Sequence, residues 1–178
     1  MYKTYTLSEL EKFLIQRVYD LECRVYADEY KGALEAIFPR YYKNRDCFVS
    51  LHDGDALVGC LVFFPVRKRF YARIRKGDVF FDDDIGAEEI VPYKRPGNYH
   101  LFILSAVIEP VYQHHGLSWM LIDAFHKFIE DKRSQGFIIA SALAVAISGG
   151  GEKLLQHIGF NYLKPIDAEK KLYEYIPP

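Results

Sequence analysis

The residues best suited to chemistry lie in one segment, VIEPVYQHHGLSWMLIDAF, which starts at Val107. An apolar run ends at Glu109-Pro110, a short loop follows, and an amphipathic helix is expected to open at Gly116. The first turn of a helix leaves N–H groups unpaired and carries the positive end of the helix dipole. A loop that exposes further N–H groups beside that end suits an anion such as a pyrophosphate. Gly116 lets the backbone approach a ligand closely, and Ser118 is small and brings a hydroxyl. The same strand–loop–helix arrangement also serves as a plain connection, so residue types alone leave both readings open.

The flanking elements must hold that loop. Lys3–Leu7 alternates and reads as a short strand. Ser8 with Glu11 forms a capping box, and Leu10, Leu14, Val18, Leu21 and Val25 recur at helical spacing. A second helix is expected from Asp28 to about Phe38, stopped near Pro39. CFVSLHDGDALVGCLVFF reads as a hairpin turning at Asp53-Gly54-Asp55. Residues 65–97 carry Pro65, Pro92 and Pro96 and many charges. They read as an insertion between the third and fourth strands, with a short helix from Arg67 to Lys76 closed by Gly77. His100–Ile108 and FIIASALAVAI are nearly continuous apolar runs, as expected of strands buried on both faces. The helix opening at Gly116 is expected to close at Gly136. Gly149–Ile158 reads as a short helix ending at Gly159, followed by two strands, FNYLKPI and KLYEYI. The expected architecture is one α/β domain over residues 1–178, a mixed sheet flanked by helices.

QHHGLS, residues 113–118, resembles the Q/R-x-x-G-x-G/A loop of the GNAT superfamily of acyl-CoA-dependent N-acyltransferases. EKLLQHIGF, about forty residues on, resembles that family's second signature, and the order of elements matches along essentially the whole chain. The resemblance implies central strands splayed at their carboxyl ends, near Ile108 and Val145, with acetyl-CoA between them. Its pantetheine arm would pair with Ala106, Val107 and Ile108. Its pyrophosphate would sit on the loop Gln113, His114, His115, Gly116, Leu117 and Ser118. The Ile108 backbone N–H would face the thioester carbonyl and stabilise an oxyanion. A primary amine would attack directly, without a metal. Glu109, one residue past Ile108, is the candidate proton acceptor.

The sequence departs from the family pattern at three places. Leu155 stands where many members carry the tyrosine that protonates the leaving thiolate; Tyr112, Tyr162, Tyr173 and Tyr175 are the replacement candidates. Ser118 replaces Gly or Ala. Ser148, followed by Gly149 and two more glycines, stands where many members have Asn, and could lie close to CoA. His114 and His115 are spaced wrongly for a helical metal pair. His157 reads as a surface residue and Ser141 as a satisfied core hydroxyl. Glu22, Arg24, Glu29 and Tyr30 fall in the region that lines the acceptor site in the family, and Asp82, Asp83 and Asp84 with Glu88 and Glu89 form an acidic run that could attract a cation.

Composition narrows the partners. The chain has 178 residues and a formal net charge of -1, which gives no basic excess for nucleic acid. No apolar run is long enough to span a bilayer, and the first residues lack a signal pattern. Cys23, Cys47 and Cys60 are an odd number, widely spaced among apolar residues, and read as core thiols of a cytoplasmic protein. A homodimer through terminal strands is in keeping with the family. Four functions remain: acetylation of a small amine, acetylation of a peptide or protein, a CoA-binding regulatory module without turnover, and an α/β binding domain unrelated to CoA.

Overall fold

A computed structural model describes residues 2–6, 12–26, 33–78 and 85–178. Its order is β1 (Tyr2–Thr6), α1 (Lys12–Val25), α2 (Leu34–Lys43), β2 (Phe48–Asp53), β3 (Ala56–Val66), α3 (Lys68–Lys76), β4 (Gly97–Ile108), α4 (Ser118–Ser134), β5 (Phe137–Ala146), α5 (Gly149–Ile158), β6 (Asn161–Pro165) and β7 (Lys171–Tyr175). Short 3-10 turns at Ala87–Glu89 and Pro110–Tyr112 complete it. The strands form one sheet in the order β1-β2-β3-β4-β5-β7-β6. Every pairing is antiparallel except β4 with β5, the two apolar runs. The α/β mixed sheet read from the sequence is the one observed.

Both faces of the sheet are covered, which explains why its central strands lack polar alternation. Leu14, Val18 and Leu21 of α1, Ile37 and Tyr41 of α2 and Phe70 and Ile74 of α3 pack on one face against Cys60, Val62 and Phe64. On the other, α4 and α5 bury Leu121, Phe125, Phe128, Leu155 and Ile158 against Leu61 and Phe63. The Phe63 ring lies 5.2 Å from that of Phe125 and 4.7 Å from that of Phe128. These edge-on and tilted contacts fix how α4, and hence the loop before it, sits over the strands.

Two expectations are corrected. The second helix does not stop at Pro39: α2 runs to Lys43 with Pro39 inside it. Proline removes one intrahelical bond, but Pro39 is exposed while Ile37, Arg40 and Tyr41 on the opposite side are buried. That burial carries the helix through. The long helix begins at Ser118 rather than Gly116, because Gly116 takes a left-handed φ of 74°. The Ser8–Glu11 capping box, the start of the second helix at Asp28, Glu29, Tyr30 and the acidic run Asp82–Asp84 lie outside the described residues. Within 65–97, α3 packs on one face of the sheet, where Tyr71 and Arg75 both bond the Glu174 carboxylate of β7.

His100 contributes a pH dependence. Its Nδ1 lies 2.9 Å from the Ser141 hydroxyl and its ring 4.7 Å from that of Tyr71. Burial, then the Lys68 charge, lowers the imidazole from its ordinary value, with Glu174 opposing. Burial and then Arg17 act likewise on His52, with Asp55 opposing. A base lowered on folding leaves the unfolded chain as the better proton binder. Stability is therefore full above the unfolded histidine value of about 6.5 and falls as pH drops through it. Urea denaturation from about pH 7.5 to about pH 5 is expected to show that fall, and His100→Gln to reduce it. An equal fall in the variant would remove His100 from the account.

Candidate functional site

The fourth strand parts from the fifth. β4 pairs with β3 along its length, from Val66↔His100 to Gly59↔Ile108. It pairs with β5 only from Gly97 to Ile103. Beyond that, Val145 and Ala146 of β5 pair with β7 alone. The sheet thus opens between residues 104–108 and 145–146. The cause is visible in the register: Ser105 faces Val62 and Ile103 faces Phe63, so Leu104 is an extra residue in β4. A bulge bends its strand and increases its twist, which turns the rest of β4 away from β5.

The open edge points into the gap. The Glu109 N–H donates to Val58 O across β3. Alternate residues of a strand share a direction, so Val107 and Ser105 face β3 while Ile108 and Ala106 face the gap. The Ile108 carbonyl there accepts the Gln113 side-chain amide at 2.9 Å. This bond folds the loop back against the end of β4.

The loop is a concavity of N–H groups. His114 has φ 64° and Gly116 φ 74°. Among the described residues, His114 alone takes a positive φ without being glycine. Backbone held in so sparsely populated a region clusters at functional sites, and alternating handedness turns successive N–H groups toward a common point. No side chain caps α4 and no acidic residue lies in its first turn. The Trp119 and Met120 N–H groups donate to the Gly116 and Leu117 carbonyls, so it is the N–H groups ahead of them, up to Ser118, and the helix dipole that are left for a ligand.

Loop, strand edge and the start of α5 enclose a cavity of about 800 Å³, within the usual range for ligand sites. Of the residues singled out from the sequence, Ala106, Val107, Ile108, Gln113, His114, Gly116, Leu117, Ser118 and Ser148 line it, whereas His115, Gly149 and Glu109 do not. The Ser148 hydroxyl is engaged as the N-cap of α5, accepting from the Gly151 N–H at 3.1 Å. Lys153 and His157 also line the cavity, and among the described residues no Asp or Glu does. Cation without carboxylate favours an anionic ligand. His157 is exposed, as its position suggested, and its ring stacks on Trp119 at 5.0 Å. Among the described residues, no group of His, Cys, Asp and Glu could hold a metal ion.

Four contacts at or near the site were not visible in the sequence. Glu109 is gripped by Arg24: the guanidinium Nη2 donates to Oε2 at 2.6 Å, and Nε lies 3.0 and 3.2 Å from the two oxygens. That bond raises the Arg24 pKa further. Of the four tyrosines considered as replacement acids, Tyr112 alone lines the cavity. Tyr162 is exposed, Tyr173 donates to Glu152 and Tyr175 stacks on Phe160 at 5.4 Å. Tyr26, just past the end of α1, reaches the Ala106 backbone. No periodicity marks that residue, because its partner lies 80 positions away.

Solved structures with this arrangement share the fold over the whole chain. The loading GNATL domain of CurA from Lyngbya majuscula superposes with a TM-score of 0.67 at 14% identity, covering 99% of this chain and 98% of that one. The PaiA N-acetyltransferase from Thermoplasma acidophilum, solved with coenzyme A, gives 0.60 at 12%, covering 99% of both. The ribosomal-protein-S18-alanine N-acetyltransferase from Escherichia coli gives 0.57 at 13%, covering 98% and 91%. The chain has the GNAT fold. No protein-family model matches the sequence, and the search of curated proteins finds no match. At such identities it is the backbone arrangement that the GNAT fold establishes here; the chemistry rests on the residues. No helix among the described residues is long and apolar enough to cross a membrane.

Proposed function

We propose that the chain is an acyl-CoA-dependent N-acyltransferase that moves an acetyl group from acetyl-CoA to a primary amine. One observation carries the reading: the edge of β4 that has no strand partner runs directly into an uncapped, glycine-hinged set of N–H groups. A ligand that fits both parts has an extended amide-bearing arm attached to a pyrophosphate, and CoA has that form. When bound it supplies an activated acyl group as a thioester.

The residues divide the work. His114 to Ser118 hold the pyrophosphate, with Lys153 adding charge. Ile108 pairs with the arm at the mouth of the gap. The inward N–H groups of Ala106 and Ile108 are the ones that can meet the arm's amides and the thioester carbonyl. Glu109 stands outside the cavity wall and takes the proton of the attacking amine through water, oriented by Arg24 as a base is by a third group. Leu155 can donate no proton. The departing thiolate, a weaker base than an amine, leaves without the usual acid.

The test is isothermal titration with CoA and with acetyl-CoA, followed by thiol release with a panel of amines. Binding of both in the micromolar range and turnover with one amine would sustain the reading. Failure of both ligands to bind would remove it. Leu155, buried in the cavity wall, favours a second reading, a CoA-binding module without turnover. That reading is separated from the first by binding without thiol release.

A further inference from the structure

The gap is not vacant along its whole length. The Tyr26 hydroxyl sits on the free edge of β4, accepting the Ala106 N–H at 3.3 Å and lying 3.5 Å from the Ala106 carbonyl. The Ser105 hydroxyl donates to it at 3.3 Å. One phenol thus occupies both hydrogen-bonding groups of the residue at which a strand-like ligand would pair. Burial pushes that phenol up to about 12, so it stays neutral and keeps its O–H at any working pH. A buried strand edge left unpaired is costly, and Tyr26 satisfies it from α1.

We propose that Tyr26 is a donor-site residue that holds the place of the donor's amide-bearing arm on β4 and is exchanged for it when the donor binds. The inference rests on the acyl-CoA reading above. Three features support exchange over permanent occupation. The bonds are long, at the weak end of the hydrogen-bond range. The Ala106 N–H has one direction and can serve the phenol oxygen or a donor oxygen, not both. Tyr26 also follows the last residue of α1, so its side chain can leave without disturbing that helix's packed residues, Leu14 to Leu21. Donor affinity then includes the cost of releasing Tyr26, and the residue favours ligands that bring a hydrogen-bonding arm far enough into the gap to replace it.

The test compares two probes on the full chain. CoA reaches along β4, whereas adenosine 3′,5′-bisphosphate covers only the nucleotide end. In Tyr26→Phe the Ala106 groups lose their partner in the free protein, so CoA should bind about five- to ten-fold tighter by titration. The bisphosphate should bind as it does to the wild type. The thermal midpoint of the free variant should fall and its rise on adding CoA should be larger, which checks folding at the same time. Unchanged CoA affinity would overturn the proposal, as would weaker CoA binding, since the phenol would then contact the donor directly. An equal gain for both probes would also overturn it. If neither probe binds the wild type, it is the acyl-CoA reading that fails, and this proposal falls with it.

Discussion

Gly116→Val should bind CoA at least about 100-fold more weakly than the parent chain, a loss of about 2.7 kcal/mol, while remaining folded. Two effects combine. Gly116 has φ 74°, where a side chain costs about 1–2 kcal/mol and a β-branched one is the worst accommodated. A Cβ built there meets nothing within 4 Å, so the valine does not strike the core. It projects from a residue that lines the cavity, into the space assigned to the pyrophosphate. The strain also pulls the loop away from the turn that aims its N–H groups. Titration with CoA checks the loss, and circular dichroism with a thermal scan checks the fold. Unchanged affinity in a folded variant would sink the assignment of the loop.

The second large effect concerns Glu109. Glu109→Gln keeps the shape and removes the proposed proton acceptor, so turnover should fall by about 10²-fold or more, with CoA affinity unchanged. Arg24→Gln should also lower turnover, by less, since it frees the carboxylate without deleting it. The double variant should be no slower than Glu109→Gln, because coupled residues in contact do not add. Thiol-release rates at saturating donor measure all three. If Arg24→Gln is as damaging as Glu109→Gln and both effects are small, the pair is a clamp between α1 and the end of β4. The proton then goes elsewhere.

Much of the architecture is local and could be read in advance. The hairpin at Gly54, the short α5 stopped by Gly159 at φ 104°, and the two apolar strands follow from residue type and spacing. Such signals act within a few residues. The loop at 113–118 was legible only as a connection with one glycine between a strand and an amphipathic helix; its reading as an anion site came from the resemblance of QHHGLS to a family motif. The extra residue at Leu104 was not, because a bulge exists only relative to the strand it pairs with, and no side chain in LSAVI announces the register of β3.

What the sequence by itself determined is the set of elements and their order, since propensity, capping and hydrophobic period are properties of neighbours in the chain. What only the tertiary structure decided is every contact that joins distant segments at the site. Arg24 meets Glu109 across 85 positions and Tyr26 meets Ala106 across 80. Tertiary packing carries α2 past Pro39, and the gap between β4 and β5 opens where their pairing ends. These outcomes turn on which surfaces are buried together and which backbone groups are left to find partners. Only the folded chain poses those questions, because burial and hydrogen-bond satisfaction are settled over the whole molecule at once.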